Sequence, residues 1–267
     1  MLDNVTALSF VKRLGSGRTK PPLLDCERAS GERVEVVAKL SGACGIHGVL
    51  REAVMALLGA DLGLPVPEPV LVRLVDGFVD ALPRDQAELA HQIRGSVFPT
   101  YGCCRLPPGF SIWSADREIS DQAVEAAAEI FAFDALTLNA DRRVKNPNCL
   151  WDGKAFAIFD HELALDSSQV GTILLPAPWQ PNGFAMLTQG DGEHVLFRGL
   201  RQREPSLTRL LAAWHAIGAE RLEAYRNAIP KEWLMQDITA LDDAIVYLNS
   251  LRDHIDEAFD GVRGVLA

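Results

Sequence analysis

The spacing of apolar and polar side chains changes along this chain. Residues 5–14 mix the two at the spacing of a first strand, and 23–40, LLDCERASGERVEVVAKL, form a hairpin turning at 29–32. From 47 to 62 the period becomes helical: Val49, Leu50, Ala53, Val54, Leu57 and Leu58 share a face, Gly63 caps the end, and LPVPEP blocks continuation. Residues 69–82 predict two strands joined at Asp76-Gly77, and 85–93 a short helix. Residues 94–109, RGSVFPTYGCCRLPPG, carry enough Gly and Pro to predict an irregular boundary or hinge.

Beyond it the pattern is helical. Ser120 caps a long apolar helix that delivers the chain to Asp141, and CLWDGKAFAIF (149–159) alternates as two short strands about Asp152-Gly153. Pro and Gly between 161 and 185 predict an ordered loop, followed by helices near 185–200, 206–227 and 237–260. The class is α+β, sheet-rich first and helical afterwards.

Composition limits the uses of such a fold. With 267 residues, 48% hydrophobic and 23% charged, the chain can bury a sizeable core, and a net charge of −10 argues against a broad nucleic-acid surface. Five cysteines (Cys26, Cys44, Cys103, Cys104, Cys149) without CxxC spacing suit a reduced compartment and ordinary thiols. The N-terminus lacks a secretory pattern and no uncharged apolar run reaches spanning length, so a cytoplasmic location without membrane contact is expected.

Chemistry concentrates in NADRRVKNPNCLWDGKAFAIFDH, 139–161, which sets Asp141 five residues before Asn146 and ends near a second aspartate, Asp160. Metal-assisted phosphoryl transfer needs a carboxylate near the attacking hydroxyl and oxygen ligands for Mg²⁺, and these three side chains supply both. The same residues also suit turn capping. Upstream, GSGRTKPP (15–22) is either an anion cradle or a surface turn, and it is not a Walker A sequence. Lys39 within VEVVAKL either binds phosphate or lies on a solvent-facing edge; Glu52 on the next helix either pairs with it or is solvated. His161 reads as a structural hydrogen-bonding group, since the six histidines show no metal-ligand spacing.

The order GSGRTKP, VVAKL, Glu52, GLPVPEP, NADRRVKN and IFDHE resembles the HipA-like kinases, bacterial members of the protein-kinase and phosphoinositide-kinase group, over about residues 14–168. The resemblance implies a two-lobed protein-kinase-like fold, with a sheet-rich N-terminal lobe (1–100) and a helical C-terminal lobe (101–267). It implies an ATP- and Mg²⁺-dependent phosphotransferase acting on a protein Ser/Thr hydroxyl. The loop of Gly15, Ser16, Gly17, Arg18, Thr19 and Lys20 would cover the nucleotide phosphates, Lys39 would contact them, and Glu52 would hold Lys39. Asp141 would orient the acceptor hydroxyl, Asn146 and Asp160 would hold Mg²⁺, and the adenine hinge would fall in 94–104. Asn148 is a rival to Asn146 as metal ligand. Ser16 and Thr19 are candidates for regulatory autophosphorylation, and any regulator would be a separate chain. Arg143 stands where the family often has histidine, and an arginine there can stabilise transferring phosphate charge. The alternatives are a small-molecule or lipid kinase, or an inactive nucleotide- or partner-binding module.

Overall fold

Alternating β-branched and small residues in the first hundred positions fill the inside of a closed barrel in the computed structural model, which describes residues 2–15, 19–166 and 176–267. Its strands are β1 (Asp3–Arg13), β2 (Pro22–Arg28), β3 (Arg33–Lys39), β4 (Pro69–Leu74) and β5 (Thr100–Cys104), in the order β1-β2-β3-β5-β4. Neighbours are antiparallel except β1 and β4, which run parallel and close the barrel. Val5, Ala7, Leu24, Cys26, Val36, Ala38, Val70 and Val72 recur every second residue within their strands and form the barrel's apolar cluster.

Two expectations fail in this part. The segment 69–82 contains one strand, not two: after β4 the chain makes successive turns, with Phe78 N–H on Val75 O and Asp80 N–H on Gly77 O, and Phe78 packs into the barrel cluster. Residues 94–109 are not wholly irregular, because 100–104 form β5 between β3 and β4. Gly102, which reads as loop punctuation, sits where a Cβ would lie 2.5 Å from Val36 Cγ1 and 2.8 Å from Val72 Cγ2.

Helix α1 (Ser41–Asp61) is broken at Gly45, φ 78°, so its regular run matches the expected helix. It is long and apolar enough to pass as a membrane span by composition, but most of it is buried within the protein. A short 3₁₀ turn and α2 (Ala87–Arg94) follow β4. Then come β6 (Ser111–Ile112), α3 (Val124–Leu136), β7 (Cys149–Trp151) and β8 (Phe156–Ile158), with β6, β7 and β8 forming a small sheet. The expected hairpin is present: Asp152 Oδ1 accepts from Lys154 and Ala155 N–H, and Gly153 takes φ 102° in the turn.

The remainder holds α4 (Phe197–Leu200), α5 (Thr208–His215), α6 (Ala219–Ala228), α7 (Lys231–Leu234), α8 (Thr239–Asp253) and α9 (Ile255–Leu266). The expected helix 206–227 is two helices separated at Ala216–Gly218, and 237–260 is two divided at His254. Part of the loop expected over 161–185 lies outside the described residues. A second, larger apolar cluster joins α1 to α3, the hairpin and the C-terminal helices through Leu50, Phe131, Phe133, Trp214, Trp233 and Phe259. Helix α1 thus packs with the helices while following directly from β3, which places Lys39 where the two clusters meet.

Candidate active site

Lys39 is the last residue of β3, paired with Tyr101 on β5, and its buried side chain leaves the barrel at the rim. Its Nζ lies 3.3 Å from Glu52 Oε2 on α1 and 3.2 Å from Glu162 Oε2, and it donates to Asp160 Oδ1 as well. Burial alone would depress the lysine pKa, but Glu52, Asp160 and Glu162 outweigh it and the net shift is upward. Glu52 moves up too, first because it is buried and then because Asp160 repels its charge, with Lys39 only partly offsetting. The lysine is therefore a fixed cation for which three carboxylates compete.

The hairpin explains how Asp160 arrives there. Phe159 N–H donates to Asn148 O at 3.2 Å, directly extending the β7–β8 ladder, so the residue after β8 returns beside the segment that carries Asp141, Asn146 and Asn148. Asn148 (φ 43°) and Asp160 (φ 64°) both adopt left-handed backbone, which Asn and Asp tolerate better than most residues. On the other side of this junction, Asp141 Oδ2 accepts from Asn146 Nδ2 at 2.7 Å and Asn148 Nδ2 at 3.2 Å, and Arg143 Nη2 lies 3.2 Å from Oδ1. Partial burial raises the Asp141 pKa; Arg143 opposes that shift and the charge of Asp160 adds to it. Asp160 is thus felt by both Glu52 and Asp141.

Behind these groups is a buried polar network. Arg142, with no exposed side-chain surface, donates from Nε to Asp134 Oδ2 at 2.5 Å and from Nη2 to Asp134 Oδ1 at 3.2 Å and His161 Nε2 at 2.9 Å. Its Nη1 reaches Phe159 O at 3.1 Å and also Asn148 O. Asn139 Nδ2 donates to Asp134 Oδ1 at 2.7 Å, and His194 Nε2 lies 3.0 Å from Asp134 Oδ2 while its Nδ1 accepts from Leu196 N–H. Since arginine only donates, His161 accepts at Nε2 and carries its proton on Nδ1; His194 is the opposite tautomer. Burial, reinforced by the Arg142 charge, pushes His161 down to about 3, and burial lowers His194 as well. Asp134 is held well below the usual carboxylate range, because Arg142 and His194 overcome its desolvation.

Of the residues singled out in the sequence, Lys39, Glu52 and Asp160 come into direct contact, and Asp141, Arg143 and Asn146 form an adjoining group. Gly15, Thr19 and Lys20 belong to the β1–β2 connection, whose Thr19 and Lys20 carbonyls accept from Arg13; Ser16, Gly17 and Arg18 lie outside the described residues. Asn148 proves to be a partner of Asp141. Sequence reasoning assigned no role to Asp134, Asn139, Arg142, His194 or Glu162. A lone aspartate inside the apolar run of α3 was the available signal for Asp134; nothing in the spacing points to His194. His161 is the hydrogen-bonding group expected.

The five cysteines are all free. Burial pushes the Cys103 thiol up to about 12 and Cys104 up to about 11, which leaves neither as a thiolate near neutral pH. Among the described residues, no group of three or more His, Cys, Asp or Glu side chains is arranged to hold a metal ion. Oxygen ligands from Asn146 and Asp160 still suit a hard cation shared with a phosphate. Asn146 commits its Nδ2 to Asp141, which turns its amide oxygen away from that carboxylate, and a divalent charge at Asp160 would relieve the repulsion on Glu52 and Asp141.

Residues 8–173 match the family model of the HipA-like kinases, more than half of the chain, and the protein belongs to that family. The chain is also similar to the crystal structure of a Helicobacter pylori proinflammatory kinase, CtkA, at 13% identity and a TM-score of 0.46, over 94% of this chain and 99% of that one. No curated protein matches it.

Proposed function

We propose that this kinase transfers the γ-phosphoryl group of ATP, with Mg²⁺, to a Ser or Thr hydroxyl of a protein. The observation that carries the reading is the contact of Lys39 with both Glu52 and Asp160, groups from β3, α1 and the end of the hairpin. An ammonium held by carboxylates at such a junction is placed for phosphate oxygens.

In this reading the barrel through Cys104 is one lobe and the helical remainder of the chain the other, with the division close to the one at 100 that the family resemblance implies. The β1–β2 connection covers the nucleotide phosphates, and Lys39, oriented by Glu52, engages them. Asp141 orients the acceptor hydroxyl and receives its proton, and its raised pKa makes the carboxylate a better base. Arg143 Nε has no hydrogen-bond partner, which leaves donor capacity for an anionic oxygen of the transferring group. Asn146 and Asp160 would hold Mg²⁺, which when bound neutralises charge on the β- and γ-phosphates. The free thiols favour a cytoplasmic site of action.

Incubation with labelled ATP and protein acceptors tests the reading. Wild type should transfer phosphate, while Asp141→Ala and Asp160→Ala should not. Equal labelling by all three would sink it, and transfer confined to non-protein acceptors would move it to a small-molecule or lipid kinase.

A further inference from the structure

Asp141 and Asp160 are each followed by a buried residue, Arg142 and His161, and those two residues are hydrogen-bonded to each other. We infer that Arg142 and His161 form a brace that sets the spacing of the Asp141 and Asp160 loops and links it to helix α1 through Glu52. This deepens the phosphotransfer reading and rests on it for the roles of the two aspartates.

The argument begins with donor capacity. A guanidinium has five N–H donors, and Arg142 meets five acceptors: two oxygens of Asp134, the carbonyls of Asn148 and Phe159, and His161 Nε2. They belong to α3, the residue before β7, the residue after β8 and the loop bearing Asp160. One side chain thus clamps both ends of the hairpin to the helix preceding Asp141. A lysine offers three donors from a single point and cannot span this set.

His161 carries the link further. Its backbone N–H donates to Glu52 Oε2 at 2.6 Å, on the same oxygen that Lys39 approaches, and its Nδ1, which bears the proton, faces Glu52 Oε1 at 3.9 Å. Movement of α1 that displaces Glu52 therefore acts on the residue adjoining Asp160. A buried ion pair such as Asp134–Arg142 is a poor source of net stability compared with apolar packing, whereas it fixes geometry well. Arg142 and His161 are positioning residues, acting through Asp141 and Asp160.

The test pairs His161→Leu, which removes the acceptor for Arg142, with His161→Gln, whose side-chain oxygen can replace Nε2. Hydrogen–deuterium exchange is read at the Phe159 and His161 amides, bonded to Asn148 O and Glu52. Loss of a hydrogen bond to a charged group should speed exchange at both by about tenfold or more in His161→Leu, with His161→Gln staying near wild type. In the same proteins, kcat for phosphotransfer should fall on the order of 10²-fold in His161→Leu with KM for ATP little changed, and recover in His161→Gln.

Circular dichroism establishes folding. If His161→Leu does not fold, Arg142→Lys serves instead and should open the same two amides. Unchanged exchange in the folded variant overturns the brace, as does equal opening in the leucine and glutamine variants. Faster exchange in His161→Leu with rescue by glutamine, in a wild-type protein that transfers no phosphate, upholds the brace and removes the phosphotransfer reading.

Discussion

Asp141 and Asp134 are both aspartates beside arginines, and their surroundings drive them in opposite directions. Asp134 is fully buried against Arg142 and His194 and is stabilised as a carboxylate, whereas partial burial and Asp160 disfavour the charge on Asp141. Removing the Asp141 charge should therefore cost catalysis and not stability: Asp141→Asn should lower kcat by roughly 10²- to 10⁴-fold, as loss of a general base does, with a thermal midpoint no lower than wild type. The buried histidines give a second prediction. His161 titrates near 3 in the folded protein against 6.5 for an ordinary histidine, so between those values the unfolded chain binds the extra proton. Stability must then fall as pH drops from about 6.5 towards 3, by up to about 1.4 kcal/mol per pH unit for each such group. Urea titrations across that window should show a shallower fall in His161→Gln; an identical slope would mean that His161 protonates in the folded state. These residues were only partly legible in sequence. Lys39, Glu52, Asp141, Asn146 and Asp160 could be singled out because charged or amide groups beside apolar strands and turns suggest particular chemistry. The network behind them is joined by contacts between distant segments, such as His194 with Asp134, which leave no local periodicity.

At the level of elements, local pattern succeeded where apolar residues recur at a regular period over a segment and failed where a short segment carries no such period. The β2–β3 hairpin, α1 and the β7–β8 hairpin alternate or repeat in ways that identify them. Strand β5 does not: TYGCC is short, follows Phe98-Pro99, and contains a glycine that argues against a strand. Contact with β3 and β4 on either side overrides that signal, and the glycine is needed because the valines of both neighbours converge over it. Gly102→Ala should consequently cost about 1–3 kcal/mol through overpacking, measured as a lower urea midpoint with an unchanged slope. A neutral result would mean that the valines move aside at no cost. Because Lys39 pairs with Tyr101 next to this position, the same variant should weaken nucleotide binding more than a surface substitution of equal stability cost.

On the scale of the whole molecule, the proposed site draws its parts from segments more than a hundred residues apart, so ligand binding there should stabilise the fold as a unit. Lys39 contacts Asp160 across 121 positions, and His161 N–H contacts Glu52 across 109. A ligand that binds only the folded chain adds about 2.7 kcal/mol at a hundred times its Kd, and each kcal/mol raises the thermal midpoint of a domain near this size by about 2–4 °C. ATP with Mg²⁺ at that concentration should therefore raise the midpoint by roughly 5–10 °C. ATP with a chelator should raise it less, since Asn146 and Asp160 would then have no cation to share with the phosphates. Two variants separate the contributions. Lys39→Met should lose most of the shift with either form of the nucleotide, because it removes the cation proposed to engage the phosphates. Asp160→Asn should retain a chelator-like shift and lose the increment due to Mg²⁺. An equal increment from Mg²⁺ in Asp160→Asn and wild type would show that the metal is held elsewhere and would remove Asp160 from the proposed ligand pair.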